Sequence, residues 1–257
     1  MTSTDAAAPV TVQQAIQYAQ EQYGLPRLDA QMLLLHACGL PPHDRAWLLT
    51  HGDEVLDATS HARYLDFLQR RQGHEPLAYI TGFKEFFGLQ LQVDKRVLDP
   101  RPETETLVEW ALSCLADTNA PHIAELGTGS GAIALALKHS LPEAQVTAVD
   151  ASADAIAVAQ ANAERLGLDI VPHVGCWCAP LAGQSFDLIV SNHMLTHAVR
   201  PREMLATMRA QLAPGGYLYM YQEPLETEFL ERGKSMFNTL NPFHLQTFDQ
   251  ASAIRAL

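Results

Sequence analysis

The sequence predicts an α/β fold with a parallel sheet, preceded by a small helical bundle. Residues 11–71 carry apolar positions at helical spacing, whereas short apolar strands alternate with helices after residue 121. A glycine-rich turn joins the first of those strands to a helix, and an acidic residue ends the next strand. Such an alternation is typical of a parallel sheet that is covered by helices on both faces.

Length and composition are those of a packed globular protein. With 257 residues, the chain is long enough for one catalytic domain and a small accessory domain. Hydrophobic residues make up 47% and charged residues 18%, which argues against global disorder. The formal net charge is −12, from 17 basic and 29 acidic residues, and it opposes the attraction to phosphates that nucleic-acid binders need. We therefore expect no direct binding of DNA or RNA.

The N-terminus and the cysteines indicate the cytoplasm. The first residues lack the basic region and the apolar core of a secretory signal, and no run of about eighteen apolar residues is present. The four cysteines are scattered, which in a reducing compartment favours free thiols. We expect a cytoplasmic protein that acts as a monomer without membrane attachment.

Residues 1–73 are predicted to form the helical bundle. Proline or glycine interrupts the helical pattern at Pro26, at 39–42 and at 51–53, which divides it into about four or five helices. The segment carries no catalytic motif of its own. We interpret it as a domain for substrate recognition, and a stabilising cap is the alternative.

Residues 74–98 are predicted to link this bundle to the rest of the chain. Apolar and polar residues alternate over 78–93, which is the pattern of a β-hairpin. The next domain, 99–257, opens with Pro102 and two nearby glutamates, which suit the first turn of a helix that extends to about residue 116.

The domain 99–257 then alternates between strands and helices. The predicted strands are 122–126, 145–149, 170–174, 186–190 and 216–221, and the predicted helices are 131–139, 152–166 and 201–212. Residues 214–216, Pro-Gly-Gly, mark the turn into the last of these strands. The prediction ends with a helix over 225–235 and two strands over 243–248 and 252–256.

The segment 122–137 organises this domain. An apolar strand leads into glycines at 127, 129 and 131 and then into an alanine-rich helix. Glycines allow a sharp turn and the close approach of a ligand, and the first amides of the helix offer unpaired N–H donors. Asp150 lies nineteen residues beyond Gly131, at the end of the next strand, where a carboxylate meets ribose hydroxyls. The sequence therefore predicts a nucleotide-like cofactor at this turn.

The glycine pattern alone does not identify the cofactor. Residues 127–132 fit both a GxGxG pattern and the dinucleotide pattern GxGxx(G/A). Glu125 places a carboxylate at the end of the strand, which suits a cation such as S-adenosylmethionine better than a pyrophosphate. A dinucleotide enzyme and a glycine turn without a ligand are the alternatives.

Five segments of the chain together resemble one enzyme family. They are Gln72–Phe87, Asp99–Glu105, Glu125–Gly131, Ala148–Asp150 and Phe186–Asn192. In these segments the chain is similar to the release-factor glutamine methyltransferases, the HemK-like or PrmC-like family, and the resemblance extends over nearly the whole chain. It implies an α/β fold with a class I, Rossmann-like, S-adenosylmethionine-dependent methyltransferase domain after an N-terminal helical bundle and a hairpin linker. It also implies methylation of the glutamine side-chain amide in the GGQ motif of peptide chain release factors.

The resemblance implies roles for individual residues. The methionine part of S-adenosylmethionine would be surrounded by Gly127, Thr128, Gly129, Ser130 and Gly131. Glu125 would lie beside these residues, Asp150 would bind the ribose, and Trp177 would lie beside the adenine. Asn192 matches the first residue of the family's Asn-Pro-Pro-Tyr signature and would be the catalytic residue. Its side chain would accept a hydrogen bond from the substrate amide and hold the poorly nucleophilic nitrogen in line with the sulfonium methyl group.

Three departures from the family pattern leave a second function open. His193, Met194 and Leu195 replace Pro-Pro-Tyr, so two restraints on φ and an aromatic face are absent. Cys176, a weak acceptor, stands where the family has an acid before the tryptophan. The segment between the signature and the next helix is also short. The alternative is a non-catalytic member that binds a protein partner, with or without S-adenosylmethionine.

Three further hypotheses have weaker support in the sequence. A DNA amino-methyltransferase uses a similar Asn-Pro-Pro-Tyr signature, but the acidity of the chain disfavours it. An NAD-dependent enzyme would need a catalytic set that is not evident after Asp150. A zinc site at His193, His197 and the neighbouring cysteines lacks a CxxC pair, so we expect no metal.

Overall fold

A computed structural model describes residues 10–42, 44–176, 181–192, 194, 200–221 and 254–255 of the chain. The chain divides into two compact units, Met1–Phe83 and Lys84–Leu257. This boundary lies inside the segment 74–98, which the sequence predicts as a linker.

The described part of the first unit is a bundle of five helices. They are α1, Val12–Tyr23; α2, Arg27–Ala37; α3, Arg45–Thr50; α4, Ala58–Gln72; and α5, Leu77–Thr81. The prediction of an N-terminal helical bundle is confirmed.

Side chains set the first turns of these helices. Thr11 begins α1 with a capping box, in which its hydroxyl accepts a hydrogen bond from the amide of Gln14 and the Gln14 side chain accepts one from the amide of Thr11. Asp57 begins α4 by accepting hydrogen bonds from the amides of Thr59 and Ser60.

One apolar core holds the bundle together. The leucines at 33–35 of α2 are fully buried in a cluster with Tyr64 and Leu68 of α4. The Tyr64 hydroxyl donates a hydrogen bond to the carbonyl of Ala30 at 3.1 Å, so the one polar atom of this buried side chain has a partner.

The hairpin after the bundle is shorter than the sequence predicts. Its strands are β1, Phe83–Phe86, and β2, Leu89–Gln92. Residues 78–81 were predicted as part of the hairpin, and that prediction is wrong because they belong to α5. Pro76 directly precedes this helix, and Gly82 ends it with φ at +77°. Ile80 is buried in the core of the bundle instead of on a sheet face.

The second unit alternates between helices and strands. A single 3₁₀ turn, Pro102–Thr104, leads into α6, Glu105–Cys114, and the remaining helices are α7, Ala132–Ser140; α8, Ala153–Leu166; and α9, Pro201–Ala210. The strands are β3, His122–Leu126; β4, Gln145–Asp150; β5, Val171–Val174; β6, Phe186–Asn192; β7, Leu212–Tyr221; and β8, Ile254–Arg255.

These strands form one sheet in the order β5-β4-β3-β6-β7-β8. All neighbouring pairs are parallel except β7 and β8, which are antiparallel. The predicted parallel α/β sheet is therefore confirmed. From β3 the chain fills one side of the sheet with β4 and β5, and the other side with β6 and β7. The crevice between β3 and β6 is a topological switch point, where α/β sheets bind ligands at the carboxyl ends of the strands.

The largest difference from the predicted elements concerns residues 214–216. They were expected to precede the last parallel strand, and that prediction is wrong because β7 already begins at Leu212. Phe186 of β6 pairs with Leu212, whereas Leu188 pairs with Tyr217, so the intervening residues of β7 form an irregularity in the ladder.

Two predicted elements, the helix over 225–235 and the strand over 243–248, lie outside the described residues. Of the predicted strand 252–256, residues Ile254–Arg255 are described and form β8. Among the helices that the structure describes, none combines the length and the apolarity needed to cross a bilayer.

Candidate functional site

A cavity of about 630 Å³ lies at the carboxyl ends of β3 and β6. The predicted site residues in its lining are Glu125, Gly127, Thr128, Gly129, Ser130 and Asn192. Gly131 and Asp150 are not part of this lining, and both make hydrogen bonds within the turn. Trp177 lies outside the described residues, so its expected place beside an adenine stays a prediction.

Asp150 fixes the middle of the glycine turn. Its Oδ2 atom accepts a hydrogen bond from the amide of Gly129 at 2.9 Å, and its Oδ1 atom accepts one from the amide of Ser152 at 2.9 Å. Each carboxylate oxygen has two lone pairs, so both oxygens keep the capacity to accept from hydroxyl groups of a ligand.

Glu125 braces the same turn from inside the domain. Its side chain is 2% exposed, and its Oε2 atom accepts from the hydroxyl of Thr128 at 2.6 Å and from the amide of Ala134 at 2.9 Å. Burial raises the pKa of Glu125 to about 7, against the opposing effect of these two hydrogen bonds. The sequence predicts a carboxylate that faces a cation, and the structure adds that this group also holds the turn to the first turn of α7.

The backbone amides of the turn are largely used within the protein. The amides of Gly127 and Thr128 both donate to the carbonyl of Val149, and the amide of Gly131 donates to the carbonyl of Thr128. The expectation of unpaired donors in the first turn of the helix holds for Ala132 and Ile133, the first two residues of α7. Within the described part of the chain, the amides of Ser130, Ala132 and Ile133 have no hydrogen-bond partner, and all three residues line the cavity.

Glycine is required at 129 and 131 for different reasons. Gly129 has φ at +54°, and a Cβ atom there would meet nothing within 4 Å, so the turn leaves open space above this residue. Gly131 has φ at +82°, and a Cβ atom there would lie 3.1 Å from Leu135 Cδ1 and 3.2 Å from Ala159 Cβ. The first position provides room for a ligand, and the second allows α7 and α8 to approach each other.

Asn192 ends β6 and is half-buried in the wall of the cavity. Two residues later, Met194 lies against the glycine turn. A Cβ atom at Gly127 would overlap the Sδ atom of Met194 and would lie 2.7 Å from its Cγ atom. Met194 also packs on the apolar cluster that includes Leu126 and Val149. The departure from the family signature at this position therefore places a thioether directly on the turn.

The segment 98–107 forms the other wall of the cavity, and sequence reasoning assigned it no site residue. Its members in the lining are Leu98, Pro100, Arg101, Glu103, Thr104 and Leu107. Arg101 is exposed, and its guanidinium makes no hydrogen bond or ion pair to any residue that the structure describes. The available signal was the resemblance of 99–105 to the family, since this segment is more specific to the family than the glycine turn.

The described residues do not form a cluster of metal ligands. Among the described residues, no group of three or more His, Cys, Asp or Glu side chains could hold a metal ion. Cys178, His193 and His197 lie outside those residues, and Cys176 is exposed.

Comparison with known proteins identifies the class to which the fold and this site belong. A family model described as "Methyltransferase domain" matches residues 124–220, and a second, described as "PrmC N-terminal domain", matches residues 11–82. The second unit is thus a class I methyltransferase domain, and the first unit is the helical domain that accompanies it in one family.

Relatives identify that family. The chain is 40% identical to a release factor glutamine methyltransferase of Salmonella typhimurium over 221 residues, which cover 76% of this chain and 78% of the relative. It is 46% identical to the enzyme of the same name from Bordetella pertussis over 170 residues, 66% of this chain and 62% of the relative. The corresponding protein of Xylella fastidiosa is 46% identical over 169 residues, 65% of this chain and 60% of the relative. The chain belongs to the release factor glutamine methyltransferase family, although it spans only about 60% of the length of the last two relatives.

The buried carboxyl group of Glu125 predicts a pH-dependent stability. Because its pKa in the folded protein, about 7, lies above the ordinary value of 4.5, the folded state binds more protons than the unfolded state between these values. The stability that it contributes is complete below pH 4.5 and is lost as the pH rises towards 7. Relative to Glu125→Gln, the free energy of unfolding should fall by on the order of 3 kcal/mol across this window in urea titrations.

Glu109→Gln provides the control for this prediction, because Glu109 is exposed on α6. Its free energy of unfolding should follow that of the unmodified protein at every pH. A constant difference between the unmodified protein and Glu125→Gln from pH 5 to pH 8 would contradict the prediction.

The contact between Met194 and Gly127 predicts a coupled pair of substitutions. Gly127→Ala should destabilise the protein by about 1–3 kcal/mol, because the new methyl group meets the thioether and the backbone has φ at +80°. Adding Met194→Ala to this variant should restore the part of the lost unfolding free energy that comes from the collision between the methyl group and the thioether. Urea unfolding of both single variants and the double variant measures this coupling. Strictly additive effects would show that the two residues do not touch.

Proposed function

We propose that this protein is an S-adenosylmethionine-dependent methyltransferase that methylates the glutamine side-chain amide in the GGQ motif of peptide chain release factors. The observation that carries the proposal is that one cavity contains both the glycine turn and Asn192, the residue that starts the family's substrate signature. Family membership supports the same reaction, since the relatives are named release factor glutamine methyltransferases.

The residues around the turn fit S-adenosylmethionine. Open space above Gly129 gives it room, and the spare lone pairs of Asp150 suit ribose hydroxyls. The unpaired amides of Ala132 and Ile133 at the N-terminus of α7 suit the carboxylate of its methionine part. Arg101 offers a further positive charge at the opposite wall. Trp177 is proposed to lie beside the adenine.

The proposed reaction requires a nitrogen that attacks although its lone pair is delocalised into the amide. S-adenosylmethionine would supply an electrophilic methyl group on its sulfonium and leave as the thioether S-adenosylhomocysteine, and the amide nitrogen would lose one of its two protons. The side-chain oxygen of Asn192 accepts a hydrogen bond from the amide N–H, which fixes the orientation of the nitrogen in the cavity. Apolar side chains of the opposite wall, Phe86, Pro100 and Leu107, exclude water from that position.

We propose the following division of labour along the chain. Residues 1–73 recognise the release factor, residues 74–98 link this bundle to the second domain, and residues 99–257 bind the cofactor and catalyse methyl transfer. The match of residues 11–82 to the PrmC N-terminal domain supports a role of the bundle that is specific to this family. The net charge of −12 favours a protein partner over nucleic acid. The protein would act as a cytoplasmic monomer without binding membranes.

A non-catalytic member of the family is the second candidate. The observation in its favour is that Met194, which stands at a proline position of the family signature, lies directly on Gly127. A protein of this kind would bind a partner through the bundle and transfer no methyl group. The next two experiments separate the two functions.

Isothermal titration calorimetry with S-adenosylmethionine tests the cofactor site. The unmodified protein should bind it with a dissociation constant in about the micromolar range, as is usual for enzymes and their substrates. Asp150→Ala should bind at least about tenfold more weakly, because it removes the ribose acceptor and frees the amide of Gly129. Asp169→Ala, a change outside the cavity, is the control. If titration with S-adenosylmethionine gives no binding heat, and S-adenosylmethionine does not compete with S-adenosylhomocysteine for the protein, the protein is not a methyltransferase.

Methyl transfer to a purified release factor tests the reaction. Radiolabel from the cofactor should enter the GGQ glutamine and should not enter a release factor whose motif is changed to GGE. Asn192→Ala should lower kcat by about 10²–10³-fold, the usual effect of removing one positioned hydrogen-bonding group, and should leave cofactor affinity within about twofold. Cofactor binding without any transfer by the unmodified protein would favour the non-catalytic function.

A further inference from the structure

Asn162 is a buried polar residue to which neither the glycine pattern nor the family signature gives a role. It lies on α8, and its side chain is 0% exposed. Asparagine is seldom buried to this extent unless its amide group is fully hydrogen-bonded. The partners of this amide therefore show what the residue does.

The side chain of Asn162 connects two separate segments. Its Oδ1 atom accepts a hydrogen bond from the amide of Gln92 at 2.6 Å, and its Nδ2 atom donates to the carbonyl of Gln92 at 2.9 Å. The same Nδ2 atom donates to the carbonyl of Ser130 at 3.0 Å. One side chain thus pairs with the backbone of β2 as a neighbouring strand would, and also holds the glycine turn.

The bond to Ser130 fixes one peptide unit of the turn at both ends. This unit consists of the carbonyl of Ser130 and the N–H of Gly131. Asn162 donates to the carbonyl oxygen, and the N–H of Gly131 donates to the carbonyl of Thr128 at 2.8 Å. This peptide unit directly precedes α7. Its orientation therefore determines where the unpaired amides of Ala132 and Ile133 point in the cavity.

The bonds to Gln92 fix the hairpin that supplies part of the opposite wall. Gln92 is the last residue of β2, and Phe86 at the end of the paired strand β1 lines the cavity. Arg165, one turn further along α8, adds a hydrogen bond from its guanidinium to the carbonyl of Gln90. Asn162 is thus bonded to the glycine turn and to the hairpin, and each of these segments supplies residues to the lining of one cavity.

We propose that Asn162 is a positioning residue that couples the hairpin to the glycine turn, so that cofactor binding at the turn and order in the hairpin support each other. The part that concerns the cofactor rests on the proposed function. Coupling between two sites is reciprocal. A ligand that orders the turn therefore also orders β2, and a more mobile β2 lowers the affinity of the turn for the ligand. A complete amide is required, since only it supplies an acceptor for one N–H and donors for two carbonyls.

Asn162→Asp tests the coupling with little change of shape. The carboxylate keeps an acceptor for the amide of Gln92 but has no hydrogen to donate, so it loses the bond to Ser130, which is the whole link to the turn, and one of the two bonds to Gln92. Gln160→Ala, at an exposed position of the same helix, is the matched control. If Asn162→Asp does not fold, Asn162→Ser, which is small and uncharged, takes its place in every measurement.

Hydrogen exchange without any ligand provides the first readout. The amide of Gly131 should exchange about tenfold faster in Asn162→Asp than in the unmodified protein, because its peptide unit is no longer held at the carbonyl, and Gln160→Ala should show no change. This result does not require that the protein binds S-adenosylmethionine. Unchanged exchange at Gly131 in Asn162→Asp would overturn the positioning role even if the proposed function is correct.

Cofactor binding provides the second readout, which a merely structural residue would not move. At a temperature where all variants are folded, Asn162→Asp should bind S-adenosylmethionine about tenfold more weakly, and should raise the KM for it far more than it lowers kcat. Added cofactor should slow exchange at the amide of Gln92 in the unmodified protein and in Gln160→Ala but not in Asn162→Asp. Equal affinity and equal protection of Gln92 in all three proteins would overturn the coupling. Absence of cofactor binding by the unmodified protein would instead contradict the proposed function.

Discussion

Two carboxyl groups hold the turn between β3 and α7, and the rest of the site depends on this arrangement. Asp150 accepts from the amide of Gly129, and Glu125 accepts from the hydroxyl of Thr128 and from the first turn of α7. Such a turn, with three glycines at positive φ, loses much conformational entropy on folding, and these hydrogen bonds offset part of that loss. The amides of Gly129 and Ala134 and the hydroxyl of Thr128 donate to these two carboxyl groups. The amides of Ala132 and Ile133 at the start of α7 remain for a ligand.

Much of the second unit could be predicted from the sequence because local signals and tertiary structure agree there. The alternation of strands and helices, the glycine turn and the acid that ends β4 are all features of single segments. These signals predict Glu125 and residues 127–130 as a cofactor site, and the resemblance to the family adds Asn192. The structure brings all of them into one cavity.

The elements that sequence reasoning missed depend on partners far away in the chain. Residues 78–81 have the alternation of a strand, but they are helical and bury Ile80 in the core of the bundle. Arg101 lines the same cavity as the glycine turn although no local pattern connects the two segments, and Asn162 bonds to a carbonyl of the turn 32 residues earlier. Neither Arg101 nor Asn162 belongs to a periodic sequence pattern, so the sequence alone does not indicate their roles. The contact between Met194 and Gly127 also spans the chain between β3 and β6.

The hairpin is attached to the domain through its main chain. Asn162 bonds to the N–H and the carbonyl of Gln92, Arg165 to the carbonyl of Gln90, and Glu105 to the amide of Phe87 at 2.9 Å. The side chains in these bonds come from α6 and α8 and hold backbone atoms of the hairpin, and Lys84 of β1 adds an ion pair with Asp99 at 3.4 Å. The outward side chains of β2, such as Gln90 and Gln92, are exposed and are not needed for this attachment. The exposed side chains of β2 can therefore change without moving the wall of the cavity.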